Sequence, residues 1–350
     1  MNRSLGTALV VLALCGLLAA CGEGERSRQT PAPQERDVDV FAQNKRLGRG
    51  VNVFGYDPGW QDPARRRMQA AHFRQIKEAG FSHVRIPLHP FARMAGAADG
   101  YRIDEKWLAV VDWAMGQALA NKLMVILDCH EFHAMAQDPE GLKPKWLAFW
   151  RQMATRYADA PDSVLFELLN EPNGNLTPKL WNSFLPEALA VVRASNPQRT
   201  VVVGPGGWNS TGELRQLALP EDDRRLLVTV HYYDPHRFTH QGASWEGREK
   251  DVGYEWRATE AERHAIERDF QTAQQWGTQH QRPIFLGEFG VYDAADMASR
   301  VRWTSFVART AESHGWSWAY WQFDSDFIVY DIDAGKWVRP IRDALIPPAP

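Results

Sequence analysis

The chain has 350 residues, 44% hydrophobic and 24% charged, with a formal net charge of -3 at pH 7. That length suits one large α/β domain, and the lack of a basic excess excludes the electrostatic footprint of a nucleic-acid binder. The 15 Trp stand out, because an indole serves as a flat recognition surface as readily as it fills a core.

In chain order, Arg3 supplies a positive n-region, and "LGTALVVLALCGLLAA" (5–20) is an apolar stretch too short and too early for a membrane span. It runs into Leu18-Ala19-Ala20-Cys21-Gly22, which resembles a bacterial lipobox. That resemblance implies a lipoprotein signal over 1–21, a lipidated Cys21 and, with Gly22 beside it, delivery to the outer membrane; an ordinary signal peptide and a secreted or periplasmic soluble protein are the alternative. Cys15 would leave with the signal, so Cys129 is the one thiol expected in the domain and no internal disulfide is expected. The Glu, Arg, Gln and Pro that follow have the composition of a solvated tether, assigned to 22–46, with the folded domain at 47–350.

From there a short apolar run, a loop and a longer amphipathic stretch recur. The runs are 50–54, 83–88, 123–129, 164–170, 200–204, 226–233, 283–289 and 317–323, continuous enough for parallel strands covered on both faces. Helices are expected over 64–79, 106–121, 144–158, 178–195, 259–276 and 295–314, with a weak one after the fifth run and a short one after the eighth. Eight strands alternating with helices predict a single-domain α/β fold, a closed (β/α)8 TIM barrel. A doubly wound open sheet is less suited, since no G-x-G-x-x-G follows the first run.

Barrel enzymes work at the C-terminal ends of their strands. The runs end there in Arg85, in Asp128 and His130, in Asn170 and Glu171, in His231 and Tyr233, in Glu288, and in Trp321. Each alone could be structural; together they read as a site. Strict alternation puts Glu171 on one face with Leu165, Glu167 and Leu169, and Glu288 on one face with Ile284 and Leu286. If both faces point inward, two carboxylates meet across the mouth, the requirement for glycoside hydrolysis.

The ordered set "RIP" (85–87), "DCH" (128–130), "LNEP" (169–172), "HYY" (231–233), "GEFG" (287–290) and "YWQF" (320–323) resembles glycoside hydrolase family 5, the retaining cellulase-like enzymes. The resemblance implies Glu171 as general acid/base, Glu288 as nucleophile and Arg85 as the cation holding Glu288 ionised. It implies that Asn170 bonds the sugar 2-hydroxyl, that His130, His231 and Tyr233 line the reacting subsite, and that Trp321 stacks under the ring. It further implies a cis peptide at Trp321–Gln322 and carboxyl groups about 5–5.5 Å apart. The expected activity is internal cleavage of β-1,4-glucan, with mannan, mixed-linkage glucan, β-1,3-glucan or a non-catalytic glycan-binding lipoprotein as alternatives. No cofactor or metal is called for, and a monomeric catalytic domain is expected.

Other motifs carry less. "HEFH" (130–133) is not the H-E-x-x-H of a zinc site, and "DSDFIVYDID" (324–333) lacks the Gly and final Glu of an EF-hand, so a solvated acidic loop is expected there. Glu167 is expected to be a buried charge in need of a partner. Trp60, Trp208 and Trp245 are candidate sugar platforms, Trp208 foremost because "GGWN" follows the fifth strand directly.

Overall fold

A computed structural model of the protein describes residues 39–348. The signal segment, Cys21 and the tether up to residue 38 lie outside the described residues. The order is α1 (Val40–Leu47), β1 (Arg49–Asn52), α2 (Ala70–Glu78), β2 (His83–Leu88), α3 (Glu105–Ala120), β3 (Met124–Cys129), α4 (Phe132–Gln137) and α5 (Pro139–Arg156). There follow β4 (Val164–Glu167), α6 (Pro178–Arg193), β5 (Val201–Val203), β6 (Leu226–Tyr232), α7 (His236–Thr239) and α8 (Glu260–His280). The chain ends with β7 (Ile284–Phe289), α9 (Met297–Ser313), β8 (Ser317–Tyr320), the two-stranded β9 (Tyr330–Asp331) and β10 (Lys336–Trp337), and α10 (Arg339–Leu345). Strands β1 to β8 form a closed parallel barrel, sealed where Val51 of β1 pairs with Tyr320 of β8. The (β/α)8 expectation is met.

The expected tether, 22–46, runs into an ordered helix at its end. Asp39 caps α1 by accepting from the Phe41 N–H at 2.9 Å, and the helix closes the N-terminal mouth of the barrel. Its Val40 and Leu47 join Ile126, Leu165, Val202, Leu227 and Phe285 in the inner core layer, while Asn44 Nδ2 donates to the Ile284 carbonyl at 3.0 Å. An apolar plug at this end keeps water out of the barrel and leaves the opposite mouth for chemistry.

Helix boundaries shifted where local polar bonds decide them. Helix α2 starts at Ala70 rather than 64 because the Asp57 carboxylate accepts from the Gly59, Arg67 and Met68 N–H groups and holds the preceding segment in turns. Helix α5 starts at Pro139 rather than 144, since Asp138 caps it through the Gly141 N–H and proline suits a first-turn position. After β5 there is only a 3-10 segment, Thr211–Gln216.

Strict alternation failed at the two strand ends that matter most. β4 ends at Glu167, and Leu168 and Leu169 both pack into the outer core. Glu171 then takes a left-handed φ of 38°, so a turn rather than strand parity carries it to the mouth. In β7 it is Phe285 that faces inward, touching the His83 ring, whereas Ile284 packs on Gly277 of α8. Glu288 still points inward because the pairing with β6 slips: Val230 faces Leu286 but His231 faces Glu288. Gly287 is the extra residue of this bulge. A Cβ on it would lie 2.4 Å from Thr229 Oγ1, so only glycine permits the slip.

Candidate active site

The site is built around a guanidinium. Arg85, fully buried on β2, uses all five of its N–H donors: Nε and Nη2 on the Glu167 carboxylate (2.7 and 2.8 Å), Nη1 on Asn52 Oδ1 (2.9 Å) and Glu288 Oε1 (2.7 Å), and Nη2 on Asn170 Oδ1 (2.8 Å). Asp128 Oδ2 adds an ion pair at 3.0 Å. Glu167 thus has the partner its burial demands, and Arg85 sits beside Glu288 as expected.

Residues 168–171 are held as firmly. The Leu168 carbonyl accepts from the indoles of Trp146 and Trp150, both at 2.9 Å, and the Asn170 N–H donates to the Cys129 carbonyl at 2.9 Å. Glu171 Oε1 lies 2.8 Å from His231 Nδ1, and Glu288 Oε2 accepts from the Tyr233 hydroxyl at 2.9 Å. One oxygen from each carboxylate and a ring nitrogen of His231 all lie within 4.8 Å of one another. Glu171 and Glu288 therefore face each other, as the sequence anticipates, by a route it did not.

Electrostatics separates the two acids. Asp128, Glu167, Glu171 and Glu288 share one buried cation, Arg85, so the site cannot hold all four carboxylates charged without large desolvation cost. Burial, opposed by Arg85 and reinforced by Asp128 and Glu167, pushes Glu171 up to about 8. Burial also raises Glu288, to about 7, but the Arg85 charge and the Tyr233 hydrogen bond hold it below Glu171. Arg85 therefore restrains the rise at Glu288 instead of producing a net depression. His231 is lowered to about 4, chiefly by burial, and burial keeps His130 neutral as well.

The remaining expected residues assemble as follows. A cleft of about 920 Å³ is lined by His130, Asn170, Glu171, Trp208, His231, Tyr233, Glu288 and Trp321. Trp321 lies parallel to the His130 ring, with centroids 5.6 Å apart, and His130 Nδ1 bonds Asp128 Oδ2 at 2.6 Å. The Trp321–Gln322 peptide is cis. Trp208 (49% exposed) and Trp245 (54%) present open faces to the cleft. Trp60 does not: it is buried, donates to the Phe54 carbonyl and packs on Trp107 of α3. The acidic "DSDFIVYDID" loop is only half solvated, with Phe327, Val329 and Tyr330 buried and Arg67 bridging Asp324 and Asp333.

Sequence reasoning missed two residues of the cleft wall, Tyr56, which lies in a turn, and Phe132, the first residue of the short helix α4. It also missed Asn52, which the break in the apolar run "GVNVF" could have flagged. "HEFH" forms no donor cluster among the described residues. Two groups could approach a cation: the Glu171–His231–Glu288 trio, where Arg85 already supplies positive charge, and His236, His240 and Glu246 at the rim, where Arg248 pairs with Glu246 at 3.1 Å.

A model of the cellulase family (glycosyl hydrolase family 5) matches residues 44–326. Endoglucanase H of Acetivibrio thermocellus is 29% identical over 329 residues, which is 91% of this chain but only 35% of that protein's length. Endoglucanase C of the same organism is 26% identical over 311 residues, 77% of this chain and 87% of that one. Among solved structures, Cel5A of Thermotoga maritima in complex with cellobiose superposes with a TM-score of 0.84 at 40% identity, covering 88% of this chain and 100% of its own. The same protein with mannotriose gives the same TM-score and identity.

Proposed function

The chain belongs to the cellulase family, glycosyl hydrolase family 5, and from that premise we propose that it cleaves internal β-1,4-glucosidic bonds of cellulose-like β-glucan with retention of configuration. The observation that carries this reading is that one carboxylate oxygen of Glu171 and one of Glu288 lie within 4.8 Å of each other in an open, aromatic-lined cleft. Retaining enzymes hold their carboxyl groups about 5–5.5 Å apart, whereas inverting enzymes need about 6.5–9.5 Å to admit a water.

In the first step the Glu171 proton passes to the glycosidic oxygen as the bond from that oxygen to the anomeric carbon breaks. A carboxylate oxygen of Glu288 forms a bond to the same carbon, giving a glycosyl ester. In the second step Glu171, now a carboxylate, takes a proton from water whose oxygen attacks the anomeric carbon and releases Glu288. The pKa order supports this division, with the acid held protonated and the nucleophile given up to Arg85 and Tyr233. Asn170, whose Oδ1 is held by Arg85, turns its amide N–H groups toward the Glu171 carboxyl and the sugar 2-hydroxyl. Trp321 offers a stacking face, and Trp208 and Trp245 extend the platform along the cleft.

The same chemistry on mannan is the second reading, favoured by the mannotriose complex of Thermotoga maritima Cel5A. We further propose a monomeric catalytic domain tethered to the outer membrane through a lipid on Cys21, a reading supported by the lipobox-like segment. Product analysis against carboxymethylcellulose, mixed-linkage glucan, mannan and xylan tests the substrate, and β-configured first products test retention. Glu288→Ala is expected to abolish release of reducing sugar; release by neither protein would leave a glycan binder. Glu171→Ala with azide is expected to yield a β-glycosyl azide. Loss of fatty-acid labelling in Cys21→Ser would support the anchor, and absence of label in the wild type would remove it.

A further inference from the structure

We propose that Asn209 is a positioning residue: it fixes the tautomer of His231 and thereby keeps the acid proton of Glu171 on the carboxyl oxygen that faces the substrate. The inference rests on the hydrolase reading above, and it extends the site to a residue that touches neither sugar nor carboxylate.

Asn209 is fully buried in the turn that follows β5, with a left-handed φ of 53° that asparagine tolerates better than most residues. It grips His231 twice. Its backbone carbonyl accepts from the His231 N–H at 2.9 Å, and its side-chain Nδ2 lies 3.3 Å from His231 Nε2. Its Oδ1 is buried without a hydrogen-bond partner. That oxygen lies 2.1 Å from where a Cβ on Gly204 would stand, so it sits over a Gly204 Cα hydrogen. An oxygen accepts that weak contact, whereas an NH2 turned there would press hydrogen on hydrogen. The amide nitrogen therefore faces the imidazole, and an orphan carbonyl is tolerated to keep it there.

An N–H aimed at Nε2 requires a lone pair on that nitrogen. A neutral ring must then carry its proton on Nδ1 and donate it to Glu171 Oε1 at 2.8 Å. Oε1 being an acceptor, the acid proton of Glu171 is left on Oε2. In the opposite tautomer the bare Nδ1 would draw the Glu171 proton toward itself and away from the glycosidic oxygen. His231 is lowered to about 4 by burial, so the ring is neutral and its tautomer is the variable that counts. The other charged or titratable groups that act on the ring are Glu288 (Oε2 at 3.6 Å from Nδ1), Arg85, Glu167 and His130. None of them bonds Nε2 among the described residues, so Asn209 alone sets that end of the imidazole.

The test uses Asn209→Asp, whose carboxylate draws a proton onto Nε2, and Asn209→Ser, which is neutral and smaller, in the full-length protein. Each is assayed on cellopentaose, whose leaving group needs protonation, and on 2,4-dinitrophenyl β-cellobioside, whose leaving group does not. Asn209→Asp is expected to lose ~10- to 100-fold in kcat/KM on cellopentaose and less than ~3-fold on the aryl glycoside, a fraction of what general acid catalysis supplies. Asn209→Ser is expected to show the same selectivity more weakly. Imidazole 15N spectra should show an unprotonated Nε2 in the wild type and a protonated one in Asn209→Asp. Equal losses on both substrates, or a protonated Nε2 in the wild type, would overturn the proposal. If the wild type cleaves neither substrate, the hydrolase reading fails, and the spectra still decide the tautomer.

Discussion

Replacing Arg85 by lysine conserves charge and removes geometry, which makes it the most searching test of how this site is held. Arginine here satisfies five acceptor contacts with five N–H groups, divided among Glu167, Asn52, Glu288 and Asn170. An ammonium has three donors, so at least two of those contacts lose their partner inside a fully buried layer. At about 1–3 kcal/mol for each buried acceptor left unsatisfied, the fold should lose about 2–6 kcal/mol. The loss is readable as a lower midpoint at unchanged slope in urea unfolding. Glu167 already takes two donors, so a lysine that keeps it cannot also restrain both Glu288 and Asn170. With less positive charge on its oxygen Glu288 should be harder to ionise, moving the acidic limb of kcat/KM upward in pH. We expect kcat on soluble β-glucan to fall by roughly 100-fold, the scale on which losing one electrostatic contact slows an enzyme. An Arg85→Lys protein within about 1 kcal/mol of wild type and within roughly threefold in kcat would refute the five-donor account.

Other expectations follow from the same geometry. Activity should fall as pH rises through about 8, where Glu171 loses its proton, and an alkaline limb near its ordinary value of 4.5 would contradict the acid assignment. Because the folded value of Glu171 is raised, the stability it contributes is complete below its unfolded value and is lost as pH rises through about 8. Glu171→Gln should therefore unfold with wild-type stability near pH ~5 and be the more stable protein near pH ~9; a constant difference across that range would remove the linkage. Trp208→Ala should raise KM for long oligosaccharides by roughly fivefold with kcat little changed, as expected when a stacking face worth about 1 kcal/mol is lost, while Trp60→Phe should leave KM alone. Leu47→Ala should cost about 2–5 kcal/mol in chemical unfolding without altering KM, because α1 plugs the end of the barrel remote from the cleft. A cost under about 0.5 kcal/mol would remove the account of α1 as the plug of the barrel.

Much of the fold was legible because it is written in local chemistry. Eight short apolar runs separated by amphipathic stretches leave few arrangements other than a barrel, and the barrel rule then says at which end to look. Arg85, Asn170, Glu171, His231, Tyr233, Glu288 and Trp321 could be named because a charged, amide or aromatic group at the end of a buried strand is costly unless something uses it. Glu167 announced its need of a partner in the same way.

What the chain order could not supply was orientation. Glu171 and Glu288 were placed on the right side of the barrel by an alternation that breaks before each of them: at Leu168–Leu169 by irregular backbone, and at Gly287 by a bulge. Both breaks depend on contacts from other elements, the Trp146 and Trp150 indoles at one and Thr229 across the β6 pairing at the other. The fate of each tryptophan was equally undecided, since Trp60 and Trp208 differ only in which neighbours the fold brings to them. Residue type settles which groups are worth bringing to the mouth of a barrel. Only long-range packing settles the angle at which they arrive, because a single residue of slip turns a side chain from water or substrate to core.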